Sequence, residues 1–338
     1  QYESEGYGTP YEGDGFSLRR LPGKRYYLEL LPDIHHRKSG LDCIDCHNGQ
    51  EVMGDGKRYD LLKDEVDTSC LSCHAQRDLE NGPKEGPIGD LGLKLVSLNG
   101  RLQVKEGEII RFSPKGYPLY NVVSTQKGLF LFRKSDGQPF QITSMKKEPY
   151  HHLRGHERLS CLACHSQWMP QCYGCHIAQR EGLQWDWIRK EGSMPQWFER
   201  RDFMRFESPP LGLRNGKVYP ISAHYVSFYD GVEGSRSRHD YFGLASFDPH
   251  TTQKRSRTCS ECHGDPKTYG LSYLYPGMDL LAGKEGIDVK SFEMADIQRI
   301  LRVGECIGCH RDYTDKIYGD FSQSYQRFLL DTELPCRR

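Results

Sequence analysis

Six times in this chain two cysteines are separated by two residues and followed at once by a histidine. The units are Cys43, Cys46, His47; Cys70, Cys73, His74; Cys161, Cys164, His165; Cys172, Cys175, His176; Cys259, Cys262, His263; and Cys306, Cys309, His310. Numbered motifs 1 to 6 in chain order, they use twelve of the thirteen cysteines. Thiols at this spacing also serve zinc ribbons, disulfides and thiol redox pairs, none of which requires His directly after the second Cys. Covalent haem attachment does: one short turn sets both sulfurs at the two vinyl groups of a porphyrin, and the next residue offers its imidazole to the iron. The residues therefore predict six haem c groups, with the motif cysteines as attachment points. His47, His74, His165, His176, His263 and His310 are then the proximal iron ligands.

Each iron has a second axial position to fill. Eight of the fourteen His lie outside the motifs: His35, His36, His151, His152, His156, His224, His239 and His250. Met ligation would raise the potential, but the seven Met have no repeated relation to the motifs. Neighbours in a His doublet point in different directions, so one from each doublet plus the four single His gives six ligands for six irons. The expected distal set is His35, His151, His156, His224, His239 and His250, with His36 and His152 in reserve. For each of these a hydrogen-bonded or exposed surface His is the alternative.

The elements that must position these groups belong to a chain of 338 residues that is only 36 % hydrophobic, with mean hydropathy −0.72. Side chains alone make a thin core at this length, and six flat apolar porphyrins would supply what is missing. Basic and acidic residues balance at 46 each, leaving no basic excess for nucleic acid. No run approaches the roughly 18 apolar residues that a membrane span requires. Haem propionates would make the loaded protein acidic, and Arg37, Lys38, Arg154, Arg158, Arg255 and Arg257 stand near the motifs either as their partners or as solvated surface.

The motifs fall two, two and two along the chain, separated by haem-free stretches at 90–145 and 177–258. The first stretch reads as β-rich: Lys94 to Leu98 and Leu102 to Val104 flank Asn99-Gly100, a hairpin signal, and Ile109 to Phe112, Leu119 to Val123 and Gly128 to Arg133 follow, with a turn at Asp136-Gly137. The second begins with a short helix around Trp185 to Lys190 and breaks at Pro209-Pro210. It continues through Asn215-Gly216 into strands Lys217 to Ile221 and Tyr225 to Tyr229. Residues 1–24, rich in Gly, Tyr, Pro and Glu, suggest an extended arm, with plain disorder as the alternative. Ile317 to Leu330 suggests a closing helix. Cys336 is the odd thiol, free or paired with another chain. The Gly54-Asp55-Gly56 sequence lacks EF-hand spacing and reads as a turn. The step of eleven residues from Cys161 to Cys172 makes the third and fourth haems neighbours. Because distal ligands must come from elsewhere in the chain, residues 1–338 are expected to interlock into one body.

On the six motifs, on Asp33-Ile34-His35 ahead of Cys43, and on the close couple SCLACHSQWMPQCYGCH ending at His176, the chain resembles the multihaem c-type cytochromes. It is most similar to the secreted ones of metal-reducing and related thermophilic bacteria and archaea, some of which polymerise into conducting filaments. The offsets of His35 before Cys43 and His156 before Cys161 are similar to those of distal ligands in small multihaem cytochromes. The resemblance implies a fold of loops and short helices around six haems, with small β-hairpin regions and little regular secondary structure. It implies electron transfer through bis-His haems, with other redox proteins, extracellular acceptors or copies of the chain itself, head to tail, as partners. Haem is attached outside the cytoplasm, so an exported precursor is expected. With no signal peptide at Gln1 and no lipoprotein Cys there, the expected location is extracellular or at the cell surface, with the periplasm as the alternative. The competing function is a multihaem reductase or oxidase acting on a small nitrogen or sulfur compound at one open haem; the C-x-x-C-K motif that marks some of these enzymes is absent.

Overall fold

The computed structural model of the chain describes residues 16–20, 26–30, 32–59, 62–75, 83–145, 149–172, 175–185, 193–201, 204–230, 237–273 and 289–330. It is a mixed α/β structure with two sizeable, mostly antiparallel sheets. The chain forms two compact units, Pro32–Leu153 and Gln1–Leu31 with Arg154–Arg338, where the sequence suggests one interlocked body. Phe16–Arg20 (β1) pairs antiparallel with Tyr26–Leu30 (β2), so part of the expected arm is one strand of a hairpin. Residues 1–15 and 21–25, like Cys336, lie outside the described residues.

In Pro32–Leu153, helix α1 (Ile34–Ser39) leads to the motif 1 turn α2 (Cys43–Cys46), then α3 (Gly49–Met53), α4 (Leu62–Glu65) and the motif 2 turn α5 (Cys70–His74). A five-stranded meander follows, β3 (Glu85–Pro87), β4 (Ile109–Phe112), β5 (Pro118–Thr125), β6 (Gly128–Phe132) and β7 (Pro139–Gln141), with α6 (Asp90–Asn99) between β3 and β4. Adjacent residues of a strand face opposite sides of the sheet. In β5, Val123 accordingly joins Ile88, Val96, Leu102, Val104 and Ile110, whereas Val122 joins Leu119, Leu129 and Leu131, packed with Leu41 and Cys73. The second face of the sheet is thus the floor on which motif 2 rests.

The expected hairpin about Asn99-Gly100 is instead the end of α6, with Gly100 at φ 67 as its left-handed cap. Alternation at Leu91, Leu93 and Leu95 imitates a strand, but Gly92 and Val96, one helical turn apart, are the buried residues. Asn-Gly suits a helix C-cap as well as a hairpin turn.

In the other unit, the motif 3 turn α7 (Cys161–His165) precedes β8 (Met169–Cys172), β9 (Cys175–Trp185), β10 (Ser193–Arg201), β11 (Met204–Glu207), β12 (Leu211–Arg214), β13 (Lys217–Asp230) and β14 (Ser237–Ser246). The motif 5 turn α8 (Cys259–His263), β15 (Val289–Lys290), α9 (Met294–Ile307) and α10 (Phe321–Leu330) complete it. The sheet order is β10-β9-β13-β12-β15, with β14 also on β13 and the β9–β13 pair parallel. Asn215 (φ 47) and Gly216 (φ 74) make the tight turn into β13. The strands expected at 217–221 and 225–229 are one strand of 14 residues, because nothing between them breaks the run. Trp185 closes β9 instead of opening a helix, and 186–190 lie outside the described residues. The closing helix begins at Phe321, after a short 3-10 turn at Lys316–Tyr318. Ala163, Leu211, Leu213, Val218, Tyr269, Phe292 and Ile297 form the core, with Ile300 and Leu301 of α9 against it. No helix among the described residues is long and apolar enough to cross a membrane.

Candidate haem-ligand sites

Motifs 1, 2, 3 and 5 are single helical turns, each opened by a residue suited to an N-cap directly before its first Cys: Asp42, Ser69, Ser160 and Thr258. Ser160 Oγ accepts from Ala163 N at 3.2 Å, and Thr258 Oγ1 from Glu261 N at 3.2 Å. Inside motifs 1 and 2 the two intervening residues face opposite ways. Asp45 and Ser72 are buried, while Ile44 and Leu71 stand 54 % and 44 % exposed. An apolar side chain held out beside two thiols suits a flat apolar partner. In motif 6, Cys306 lies in the last turn of α9 and His310 beyond its end. In motif 4, Cys172 ends β8 and Cys175 and His176 open β9; residues 173–174, and with them the expected closeness of motifs 3 and 4, lie outside the described residues.

The carbonyls at the end of a helical turn lack intrahelical donors, and here each set is gripped from outside. Lys134 Nζ donates to Ile44 O at 2.6 Å, and Asn121 Nδ2 to Asp45 O at 3.0 Å. The Arg111 guanidinium donates to the carbonyls of Ser72 (3.2 Å), Cys73 (2.6 Å) and Ala75 (3.0 Å). Register between β4 and β5 shifts at Ile110/Arg111, an irregularity of the kind that re-aims a side chain. In motif 3, Arg257 N donates to Cys164 O at 2.9 Å. Tyr269 OH donates to Cys262 O, and Tyr318 OH to His310 O at 2.5 Å.

The Nδ1 nitrogens follow one pattern. Those of His74, His165 and His263 lie 2.7, 3.2 and 2.9 Å from the carbonyls of Thr143, Gln253 and Ile300. A carbonyl only accepts, so each Nδ1 carries the proton and Nε2 keeps its lone pair. His47 Nδ1 lies 2.9 Å from Glu51 Oε2, and His310 Nδ1 2.8 Å from Asp315 Oδ2. Fixing one ring nitrogen with a hydrogen bond so that the other points to a metal is the usual outer-shell arrangement of ligating His. Burial, followed by the neighbouring His156, lowers the pKa of His263, favouring the neutral form that a metal needs. Glu51 is enclosed too: its Oε1 accepts from Asp67 N (2.5 Å) and Thr68 N (2.7 Å), and its Oε2 also from Asn48 N (3.0 Å).

Two proximal His face a second His. The ring centroids of His35 and His74 are 6.0 Å apart at 40°, and those of His156 and His263 are 5.9 Å apart at 72°. Two imidazoles each bound through one nitrogen about 2 Å from a shared metal have centroids about 6 Å apart, so both spacings fit an iron between the rings. His35 faces motif 2, although motif 1 is nearer in sequence; His156 faces motif 5, although motif 3 is nearer. His36, held by Nδ1 to Leu41 O at 3.0 Å, is exposed. His151 and His152 are exposed in the 3-10 turn Pro149–His152. His250 is exposed, two residues before Thr252, whose bridge to Ser166 lays this segment along motif 3. His176, His224 and His239 fall on β9, β13 and β14 of one sheet.

The second thiols of motifs 1, 2 and 5 are not activated. Burial, then Cys73 and Asp45 nearby, pushes Cys46 up to about 12, and burial pushes Cys73 and Cys262 up to about 11. Thiol redox pairs and nucleophilic Cys need the opposite shift. Among the described residues no three His, Cys, Asp or Glu gather around a conventional metal site; a haem iron takes only two axial ligands from protein. Of the cations considered for propionates, Arg154 donates to Gly319 O, Arg158 to Gly216 O, and Arg255 pairs with Glu261 at 2.8 Å. Arg257 donates to Pro209 O but keeps a buried Nε without a partner, which fits an acidic group of a bound cofactor.

The residues that grip and orient escape a reading by motif. Glu51 and Asp315 follow their His by four and five positions, a local signal open to inspection; Arg111, on β4, and Lys134, in the turn after β6, are distant in sequence and leave none. No protein-family model, curated protein or solved structure matches the chain.

Proposed function

We propose that this protein binds six c-type haems covalently through its C-x-x-C-H motifs, ligates their irons with paired His, and serves in electron transfer. The observation that carries this reading is the facing of His35 with His74 and of His156 with His263 at the separation one iron requires, with both proximal rings turned by Nδ1 hydrogen bonds. When bound, haem supplies a one-electron ferric/ferrous couple whose potential the protein sets through axial ligand, hydrogen bonding, burial and charge. The chain's part is positional. Motif turns fix where the thioethers form, the buried grips hold those turns, and carbonyl or carboxylate acceptors hold the five described proximal rings. At motifs 2 and 5 a His on each side of the iron would leave no open position for a small substrate, which supports electron transfer at these two haems.

The test is spin state in the haem-loaded protein. The ferric form is expected to be wholly low-spin, and the reduced form not to bind carbon monoxide. His35→Ala and His156→Ala should each create one high-spin haem, and His36→Ala none. A native high-spin haem that binds carbon monoxide rapidly, or a His35→Ala protein that stays fully low-spin, would overturn the assignment.

A further inference from the structure

The two His pairs match on the proximal side and differ on the distal side. His74 and His263 each donate from Nδ1 to a backbone carbonyl, Thr143 O at 2.7 Å and Ile300 O at 2.9 Å. Opposite them, His35 Nδ1 donates to the Asp33 carboxylate, Oδ2, at 3.1 Å, while His156 Nδ1 is buried with no hydrogen-bond partner. An anionic acceptor draws the Nδ1 proton and makes Nε2 a stronger donor to the metal, which favours the ferric state. A bare N–H does nothing of the kind. Fixed charges act in the same direction. Beside motif 2, Arg111 is matched by Glu85, its Nε 3.1 Å from Oε1. Beside motif 5, Glu261 forms its ion pair with Arg255 and acts on Arg257 only as a nearby charge, and the buried Arg257 Nε has no hydrogen-bond partner.

We propose that Asp33 is a positioning residue that, through His35, holds the haem of motif 2 at a lower reduction potential than the haem of motif 5. The proposal rests on the haem reading above. It makes the protein a pathway of unequal steps, with the inequality written into one carboxylate that also caps α1, its Oδ1 accepting from His36 N at 2.9 Å.

The double role supplies the control. Asn caps a helix about as well as Asp, so Asp33→Asn removes the charge and keeps the cap, while Asp33→Ala removes both. Haem content of the purified protein is measured first. The motif 2 haem is then identified as the low-spin resonance that His35→Ala abolishes, and the motif 5 haem as the one that His156→Ala abolishes. Both are followed in redox-poised samples. Asp33→Asn and Asp33→Ala should each raise the motif 2 midpoint by about a tenfold change in the reduction equilibrium, about 59 mV for a one-electron couple. The motif 5 midpoint should stay in place, and only Asp33→Ala should lower the thermal unfolding temperature. An unmoved midpoint in Asp33→Asn, an equal movement of every midpoint, or a native motif 2 midpoint at or above that of motif 5 would overturn the proposal. Protein purified from a haem-attaching host without six haems would instead overturn the reading beneath it.

Discussion

In Pro32–Leu153 the carbonyls that end each motif turn are held by buried cations, Lys134 and Arg111, whereas in Arg154–Arg338 the corresponding carbonyls of motifs 5 and 6 are held by the hydroxyls of Tyr269 and Tyr318. The charged grips have carboxylates nearby: Glu85 pairs with Arg111, and Asp45, which accepts from the backbone N of Lys134 at 2.6 Å, is a neighbouring charge that favours the Lys134 ammonium. The neutral grips need none. One structural task, satisfying the end of a short turn that must also present two thiols, is met at different electrostatic risk in the two units. A buried ion that loses its partner costs far more than a carbonyl that loses a hydroxyl.

Breaking each grip measures that difference. Arg111→Met should destabilise its unit by about 3–5 kcal/mol, since it takes from Glu85 its ion pair and from three motif 2 carbonyls their donor. Urea denaturation followed at the haem absorbance reads this directly. Gly304→Ala should cost less, about 1–3 kcal/mol, because a Cβ there would collide with the His263 carbonyl where α9 meets the motif 5 turn. Tyr269→Phe should cost about 1–2 kcal/mol. Equal losses for Arg111→Met and Tyr269→Phe would dissolve the contrast.

Acid sharpens it further. Burial pushes the Glu51 carboxyl up, but hydrogen bonds from Thr68, Asn48, Asp67 and His47 outweigh it and hold it below the ordinary carboxylate value of 4.5. A depressed folded pKa gives stability that is complete above that value and lost as pH falls through the folded one. Unfolding of Pro32–Leu153 should therefore steepen in acid, and Glu51→Gln should flatten that limb while weakening the unit at neutral pH. Asp315, held low by His310 and Ile317 N, is more open to solvent than Glu51, so Asp315→Asn should give a smaller change in the same direction.

What the sequence discloses follows from how far each interaction reaches. The proposed covalent attachment would need its thiols and imidazole within five residues, so all six motifs stand in plain view, and the capping residues Asp42, Ser69, Ser160 and Thr258 stand beside them. Strands β4, β5 and β6 lie where period-two patterning suggests them. Distal pairing reaches further: His35 passes over motif 1 to face motif 2, and His156 passes over motif 3 to face motif 5, choices made by tertiary packing and not by offset. Lys134 reaches back 90 residues to Ile44, with nothing in either local sequence to announce it. At α6 the local signal points the wrong way, because leucines at alternate positions and Asn-Gly fit a hairpin as well as they fit a capped helix.

The central claim is covalent, and its direct measurement is the mass of the denatured chain isolated from cells able to attach haem. The account predicts a mass increment of six haems per polypeptide that survives denaturation and organic extraction. A chain retaining four or fewer, with free thiols at the remaining C-x-x-C-H units, would contradict it.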